Sequence, residues 1–395
     1  MPRCATGLDR LALGEADVVA LVRGRRIGLV AHPASVDARL THAKDLLVRA
    51  GADLRVLFGP EHGYGGEAQD MIGVGELRDA ETGAQIRSLY GATEAELSPK
   101  REWLDGLDAI VIDLQDVGSR YYTFVWTAAL MLRAAAAAGV ETIVLDRPNP
   151  IGGDVVEGAP QRSGYRSFVG LYDVAVRHGM TIGELAQMVR EREQLHRSAL
   201  RVVTMTGWKR EMLFADTGLP WVLPSPNMPT PETALVYPGG CLLEGTSLSE
   251  GRGVTRPFEI WGAPNLDGRA LADAVRGAGA HLRPLTFQPT FHKHGKQICG
   301  GVQVHVTNAR ELRSYELYLR AIAQAHTQTR ESFRWRTETY EYVSDRPAID
   351  LLTGGPEYRA AVDSGDAGAL DAVIAAEALG AARFADERRV WLLYE

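Results

Sequence analysis

The chain has few cysteines and no long run of charges of one sign. Cys4, Cys241 and Cys299 are the three cysteines in 395 residues, and their wide separation matches neither a disulfide framework nor a zinc site. Charged residues make up 24% of the sequence, and the formal net charge of -7 comes without an acidic or basic block. Because a nucleic-acid-binding surface carries a basic stripe, we expect no nucleic acid among the partners.

Long hydrophobic runs are also missing. No stretch approaches the roughly 20 apolar residues of a membrane span, and residues 1–26 lack the apolar centre of a signal peptide. We therefore expect no membrane partner and a cytoplasmic location for the chain as written, or an extracytoplasmic one if the true start lies upstream. Nothing in the composition favours one oligomeric state over another.

Three common functional motifs are absent as well. No G-x-G-x-x-G follows the first apolar run, and neither G-x-x-x-x-G-K-[ST] nor G-x-S-x-G occurs. These absences argue against the two commonest nucleotide-binding loops and against a serine hydrolase. We therefore expect no cofactor.

Four short apolar runs in the first half share one pattern. They are RIGLV (26–30), LRVLF (54–58), AIVID (109–113) and TIVLD (142–146). Each is rich in β-branched residues without alternation, as expected of strands buried on both faces. Helical patterns at 36–51 and 124–139 lie between them and end at glycines. This alternation predicts an α/β fold with a mostly parallel sheet and right-handed crossovers.

The pattern changes from about residue 265. A helical pattern at 268–278 precedes residues 285–308, which resemble antiparallel strands, and further helical patterns follow near 309–326 and 366–380. We predict a smaller α+β domain here. The boundary between the two domains would lie at about residue 240.

Two irregular segments have the composition of site walls. Residues 61–97 are longer than the roughly 2–6 residues usual between a strand and a helix, which favours a lid or a wall of a site. Residues 216–264 are dense in proline and glycine but contain large apolar side chains. We interpret this second segment as an ordered loop that lies against the site.

Polar side chains follow each of the four predicted strands. Since ligands bind at the carboxyl ends of strands in an open α/β sheet, these residues form a candidate site, although each one could also be a cap or turn residue. The set comprises His32, Glu61, His62, Asp113, Gln115, Asp116, Arg120, Asp146, Arg147 and Asn149.

The sequence LFGPEHGYGG (57–66) suits general acid–base catalysis. Glu61 and His62 stand side by side in a glycine-rich turn, and a partly desolvated carboxyl can hold a proton near neutral pH. Glycoside hydrolysis usually needs a second carboxyl, for which Asp113 and Asp116 are candidates, or the N-acetyl group of the substrate. The same residues with His32 could instead hold a catalytic metal ion, although their spacing does not favour a metal.

Aromatic and arginine side chains in the same region favour a sugar ligand. Tyr122 offers an apolar ring, and Arg120, Arg147 and Arg252 offer planar forks that match a carboxylate. Trp126 lies within a helical pattern, and we expect it to pack in the core.

A series of motifs in one order resembles the exo-β-N-acetylmuramidase family typified by NamZ. The resemblance extends from about residue 26 to the C-terminus. The motifs are FGPEHG, SLYG, DLQDVGSRYYT, VLDRPNPIGG, SFVG, RHGMTIGELA, DTGLPWVLPSPNMPT, ALVYPG, LLEGT, LSEGRG and PFE.

This resemblance implies a glycosidase that removes N-acetylmuramic acid from the non-reducing end of peptidoglycan fragments. It also implies that residues 1–240 form a Rossmann-like N-terminal catalytic domain and that residues 241–395 form a smaller α+β domain that closes the cleft holding the site. It implies Glu61 as the catalytic carboxyl of the PEHG motif. His178, Asn227 and Glu250, which belong to the shared motifs, are further candidates for binding the substrate.

Two departures from the family pattern stand out. Gly65 occupies a position where the family usually has an arginine, so one cation facing the substrate is expected to be missing. The secretion signal typical of members that act on cell walls is also absent. Two alternatives stay open at this level, namely a metal-dependent hydrolase that uses the same pocket and a non-catalytic protein that binds muropeptides or sugars.

Overall fold

A computed structural model describes residues 4–66 and 77–395. Its larger sheet has seven strands in the order β3-β4-β2-β1-β5-β6-β7, all parallel except β3, which pairs antiparallel to β4. The strands are β1 (Arg26–Val30), β2 (Asp53–Gly59), β3 (Leu77–Arg78), β4 (Gln85–Ser88), β5 (Ala109–Ile112), β6 (Glu141–Leu145) and β7 (Leu200–Val203).

The predicted strands are confirmed, and their burial explains why they were recognisable. β1, β5 and β6 occupy the middle of the sheet, where both faces are covered, and the side chains of Ile27, Val111 and Ile143 are fully buried. β4 and β7 were not predicted. They lie near or at the edges of the sheet, and their sequences QIRS and LRVV are short and partly exposed.

Thirteen α-helices surround the sheets in the described part of the chain. They are α1 (Gly7–Ala12), α2 (Ala16–Val19), α3 (Ala43–Arg49), α4 (Arg101–Leu104), α5 (Phe124–Ala138), α6 (Ile182–Arg192), α7 (Phe214–Thr217), α8 (Pro231–Gly240), α9 (Gly268–Ala274), α10 (Ser314–Gln328), α11 (Ala348–Thr353), α12 (Glu357–Ser364) and α13 (Ala367–Glu387).

Helix α5 matches its prediction, but the helix predicted at 36–51 is wrong in its first half. Asp37 accepts hydrogen bonds from the backbone amides of Arg39 and Thr41, and Leu40 has a φ of 63°. These local bonds form a loop instead of a helical turn. His42 then caps α3 by accepting from the amide of Lys44.

The smaller sheet is antiparallel, as predicted. Its strands β8 (Ile260–Ala263), β9 (Ala280–Phe287) and β10 (Cys299–Val306) are arranged in the order β8-β10-β9. Together with α10 and α13 they confirm the α+β character of the second half. The interpretation of residues 216–264 as loop is wrong in part, because α7, α8 and β8 lie within them. Thr230 caps α8, and Pro231 is its first residue, where proline is tolerated.

The two halves of the chain pack closely. Helix α8 lies against α10, and the C-terminal residues return to the larger sheet, where the hydroxyl of Tyr394 donates to Asp146 at 2.6 Å. The boundary at residue 240 stays a prediction. Trp126 is fully buried in the shared core, as expected. Within the described ranges, no helix has the length and apolar character needed to cross a membrane.

Gly239 generates a test of the packing between α8 and α10. A Cβ atom at this position would lie 2.1 Å from the carbonyl oxygen of Ser314, so Gly239→Ala should lower the free energy of unfolding by about 1–3 kcal/mol through overpacking. Gly164→Ala is the control, because no atom lies within 4 Å of its added Cβ. Urea unfolding midpoints measure both variants, and equal midpoints would contradict the observed packing.

Candidate active site

A cavity of about 730 Å³ lies at the carboxyl ends of β2 and β4 and extends to the second half of the chain. Its aromatic lining comes from both halves and consists of Tyr90, Tyr121, Tyr122, Tyr237, Phe258, Phe291, Tyr340 and Tyr342. Its charged lining consists of Glu61, His62, Glu94, Glu244, Glu250, Arg252, His292, Arg336 and Glu341.

Glu61 reaches this cavity from a tight turn after β2. The amide of Gly63 donates to the carbonyl of Pro60 at 2.9 Å, and His62 has a φ of 71°. Gly59 permits this turn, because a Cβ atom there would lie 2.2 Å from the amide nitrogen of Tyr64. The glycine-rich sequence therefore places the carboxyl at the end of the strand, as the motif predicts.

Thr123 orients the Glu61 carboxyl. Its hydroxyl donates to Glu61 Oε2 at 2.6 Å, and its backbone precedes the first residue of α5. A carboxylate that accepts a hydrogen bond from a residue fixed by a helix has a defined direction in the cavity.

A second carboxyl, Glu341, enters from the other half of the chain. Tyr340 and Val343 exchange two backbone hydrogen bonds at 2.9 and 3.0 Å, and Glu341 and Tyr342 between them have φ values of 44° and 69°. This is a tight turn of the kind that usually requires Asn or Gly at both central positions. Non-glycine residues in this conformation cost about 1–3 kcal/mol each, and such strain concentrates at functional sites.

Two hydrogen bonds fix this turn against the segment after β4. The hydroxyl of Tyr342 donates to the carbonyl of Gly91 at 2.8 Å, and the hydroxyl of Tyr90 donates to Glu341 Oε2 at 3.1 Å. Residues 88–94 thus form one wall of the cavity. Residues 67–76, which belong to the segment predicted as a lid or wall, lie outside the described residues.

The pKa of the Glu341 carboxyl is raised far above its ordinary value. Burial of the carboxyl raises its pKa from 4.5 to about 8, and the negative charge of Glu61 adds to this effect. The hydrogen bond from Tyr90 opposes the shift, as does the charge of Arg336. Glu341 is therefore protonated at neutral pH, and it is close enough to Glu61 for the two groups to interact.

Glu250 is the centre of a compact ionic cluster on another wall. Its carboxylate lies 3.1 Å from His292, 3.0 Å from Lys293 and 3.2 Å from Arg252. Burial alone would raise the pKa of Glu250, but Lys293, His292 and Arg252 together hold it below its ordinary value. Glu250 is thus an anion held in place by its neighbours.

Six of the residues predicted from sequence line the cavity. They are Glu61, His62, Tyr122, Asn227, Glu250 and Arg252. Gly65, the position of the departure from the family pattern, is exposed and is not part of the lining.

Nine other predicted residues are buried and are not part of the cavity lining. They are His32, Asp113, Gln115, Asp116, Arg120, Asp146, Arg147, Asn149 and His178. Asp113 is fully buried, and both of its oxygens accept hydrogen bonds from Arg147, at 2.5 and 2.8 Å. Its carboxylate is occupied by this ion pair, so the structure provides no second catalytic carboxyl at residue 113.

The remaining members of this group hold loops together. Arg120 donates to the carbonyls of Ala159, Val174 and Leu352, and the side-chain amide of Asn149 donates to the carbonyl of Met180 at 3.0 Å.

Asp116, His178 and His32 have similar supporting positions. Asp116 accepts from the amide of Gly118 at 2.7 Å and lies 3.5 Å from His178. His32 accepts from the amide of Gln115 at 2.9 Å, and burial lowers the pKa of its imidazole well below the ordinary value. These residues support the cavity wall, and His32 contacts Phe124, which in turn contacts Tyr122.

The sequence analysis did not identify Glu341, Arg336, Glu244 or Tyr90 as site residues. Tyr90 and Glu244 stand in the shared motifs SLYG and LLEGT, which could have indicated them. Arg336 and Glu341 lie between α10 and α11, where no periodic pattern or motif marks them.

In the ranges that the structure describes, no three His, Cys, Asp or Glu side chains are grouped so that they could hold a metal ion. The metal-dependent hydrolase considered from sequence therefore has no ligand set among these residues.

Comparisons with known proteins agree along the whole chain. The model of the N-terminal region of the exo-β-N-acetylmuramidase NamZ family matches residues 27–232, and the model of its C-terminal region matches residues 235–394. The peptidoglycan β-N-acetylmuramidase NamZ of Bacillus subtilis is 39% identical over 397 residues, which cover 100% of this chain and 92% of that protein.

Two solved structures share the fold. Both are DUF1343 family proteins from Bacteroides fragilis. One has a TM-score of 0.85 at 30% identity, with 100% of each chain covered. The other has a TM-score of 0.72 at 25% identity, with 99% of each chain covered.

The Asp113–Arg147 pair generates a test of its structural role. Asp113→Asn leaves a buried guanidinium without its counter-charge, which should lower the free energy of unfolding by about 3–5 kcal/mol. Asp53→Asn is the control, because Asp53 pairs with Arg55 on the surface and should cost no more than about 1 kcal/mol. Denaturant unfolding followed by circular dichroism measures both variants. An unchanged stability of Asp113→Asn would leave Asp113 available for another role.

Proposed function

Since this chain belongs to the exo-β-N-acetylmuramidase NamZ family, we propose that Glu61 and Glu341 carry out the reaction of that family here. The chain is an exo-acting glycosidase that releases N-acetylmuramic acid from the non-reducing end of peptidoglycan fragments. Its substrate is derived from peptidoglycan, and we propose that the substrate binds in the cavity between Glu61 and the turn at residues 340–343.

The observation that carries the proposal is that two carboxyls of the lining, Glu61 and Glu341, are near enough for the charge of Glu61 to raise the pKa of buried Glu341. Glu341 keeps its proton at neutral pH, whereas the negative charge of Glu61 contributes to the raised pKa of Glu341. Two carboxyls whose environments separate their proton affinities are the usual arrangement for acid–base catalysis of glycoside hydrolysis.

In the proposed reaction Glu341 is the general acid. Its proton passes to the glycosidic oxygen while the bond from that oxygen to the anomeric carbon breaks, so the leaving sugar departs as a neutral alcohol. Glu61 stabilises the positive charge that develops on the sugar ring. It also accepts the proton lost by the attacking group, either water or the 2-acetamido group of the substrate.

This proposal refines the hypothesis from sequence. Glu61 keeps its role in proton transfer, Glu341 replaces Asp113 and Asp116 as the second carboxyl, and Thr123 and Tyr90 position the pair. The aromatic rings of the lining offer apolar faces for the sugar.

The loss of activity caused by substituting Glu341 should depend on the leaving group of the substrate, whereas the loss caused by substituting Glu61 should not. Glu341→Gln removes the acid, so kcat/KM should fall by about 10²–10⁴-fold on a disaccharide but much less on a nitrophenyl N-acetylmuramide, whose leaving group needs little protonation. Glu61→Gln should reduce hydrolysis of both substrates strongly.

Glu338→Gln is the matched control, because Glu338 is exposed and is not part of the lining. If kcat/KM of Glu341→Gln fell by the same factor on both substrates, Glu341 would be excluded as the general acid. Binding of the disaccharide without turnover by the wild type would favour a sugar-binding protein instead.

The raised pKa of Glu341 predicts the alkaline limb of the pH profile. The acid is active only when protonated, so kcat/KM on the disaccharide should be highest below pH 8 and fall as pH rises through about 8. The residual kcat/KM of Glu341→Gln on the disaccharide should lack this limb. A limb that persists at the same pH in the variant would assign it to another group.

A further inference from the structure

The cavity contains an arginine that forms no ion pair with a carboxylate of the described residues. Two arginines line it, Arg252 and Arg336. Arg252 lies 2.7 Å from Glu244 and 3.2 Å from Glu250, so its charge is balanced within the wall. Among the described residues Arg336 forms no ion pair, and its guanidinium donates one hydrogen bond, to the carbonyl of Thr339 at 3.3 Å.

The carboxyl of Glu341, whose pKa responds to the charge of Arg336, does not neutralise Arg336 either. Glu341 is protonated at neutral pH, because its pKa is raised to about 8, and it then carries no charge. The guanidinium carbon of Arg336 lies 4.9 Å from the centre of the Tyr340 ring, a contact that orients the planar fork without occupying all of its donors.

The cavity needs such a cation if an anion is to enter it. Its lining includes the carboxylates of Glu61, Glu244 and Glu250, and a further carboxylate transferred from water into this surrounding would be repelled and would lose its hydration. Only a cation that is not already paired can compensate for both costs.

We propose that Arg336 binds the carboxylate of the lactyl ether on the muramic acid ring, and so selects N-acetylmuramic over N-acetylglucosamine residues. The inference rests on the proposed function and names the part of the substrate that this residue recognises. The lactyl ether is the group that distinguishes the two sugars, and at neutral pH it carries one negative charge that a guanidinium binds through two parallel hydrogen bonds.

The position of Arg336 agrees with the chemistry of the sugar. The lactyl ether is attached at C3, two ring carbons from the anomeric centre, so its carboxylate must lie near the catalytic carboxyls. Arg336 is near enough to Glu341 for its charge to act on that carboxyl. Its backbone is fixed as well, because the amide of Arg336 donates to the carbonyl of Gly245 at 2.9 Å.

The test compares two substrates that differ only in this charge, namely nitrophenyl N-acetyl-β-muramide and its lactyl methyl ester. The wild type should prefer the free acid. Arg336→Gln should lower kcat/KM for the acid by about 10–100-fold, the range for one hydrogen-bonded charge pair, and should change kcat/KM for the ester much less. The ratio of the two constants cancels any effect of the substitution on the protonation of Glu341.

Two further variants complete the design. Arg334→Gln is the control, because Arg334 is exposed, is not part of the lining, and bonds to local carbonyls; it should keep the wild-type ratio. Arg336→Lys keeps the charge and should keep part of the preference for the acid.

Results that contradict the proposed function differ from results that contradict only the role of Arg336. A wild type that hydrolyses neither substrate contradicts the proposed function itself. A wild type that hydrolyses both equally, or an Arg336→Gln variant with the wild-type ratio, contradicts the role of Arg336 while the glycosidase activity stands. Complete loss of the preference for the free acid in Arg336→Lys would likewise contradict the proposal that the substrate carboxylate binds the positive charge of residue 336.

Discussion

The free-energy cost of removing a charge from water determines how ionisable side chains are arranged, both behind the cavity wall and inside the cavity. Behind the wall, two buried arginines are paired with carboxylates, Arg147 with Asp113 and Arg177 with Glu157, and buried Arg120 donates to three backbone carbonyls. A buried charge without a partner would destabilise the fold by several kcal/mol, so these groups are fixed. Inside the cavity the pairing is incomplete, and Glu341 avoids the cost by keeping its proton. Ionisable residues that have protein partners hold the shape of the cavity wall. Those without such partners are available to a substrate.

The turn at residues 340–343 connects this constraint to the chemistry. Its two central residues have positive φ values without being glycine, a conformation that persists only when surrounding contacts enforce it. Here the Tyr342 hydroxyl bonds to Gly91 from the opposite wall, and Tyr90 bonds to Glu341. The contacts that enforce this strained turn thus hold the Glu341 carboxyl in a buried position near Glu61, where its charged form is disfavoured.

The sequence was sufficient for the central strands and for Glu61, because both depend on local patterns. β1, β5 and β6 are continuous apolar runs, and the turn after β2 requires its glycines. The sequence alone could not show whether Glu61 or Asp113 lines the cavity, because each of them follows a parallel strand. Which of the two carboxyls faces the cavity depends on how the later part of the chain folds. No local sequence pattern could identify Glu341 as a site residue, because its position depends on the packing of the second half of the chain against Tyr90 and Gly91.

Glu61 and Glu341 come from the two separate regions that the family models match, and this division has a consequence for the reaction. The N-terminal region supplies the anionic carboxyl and Tyr90, whereas the C-terminal region supplies the protonated carboxyl and Arg336. Neither region alone has both partners of the acid–base pair. The raised pKa of Glu341 needs the charge of Glu61 as well as burial, so the packing between the regions sets the protonation state of the catalytic acid. In this way the same interface that stabilises the fold also prepares the proton for transfer.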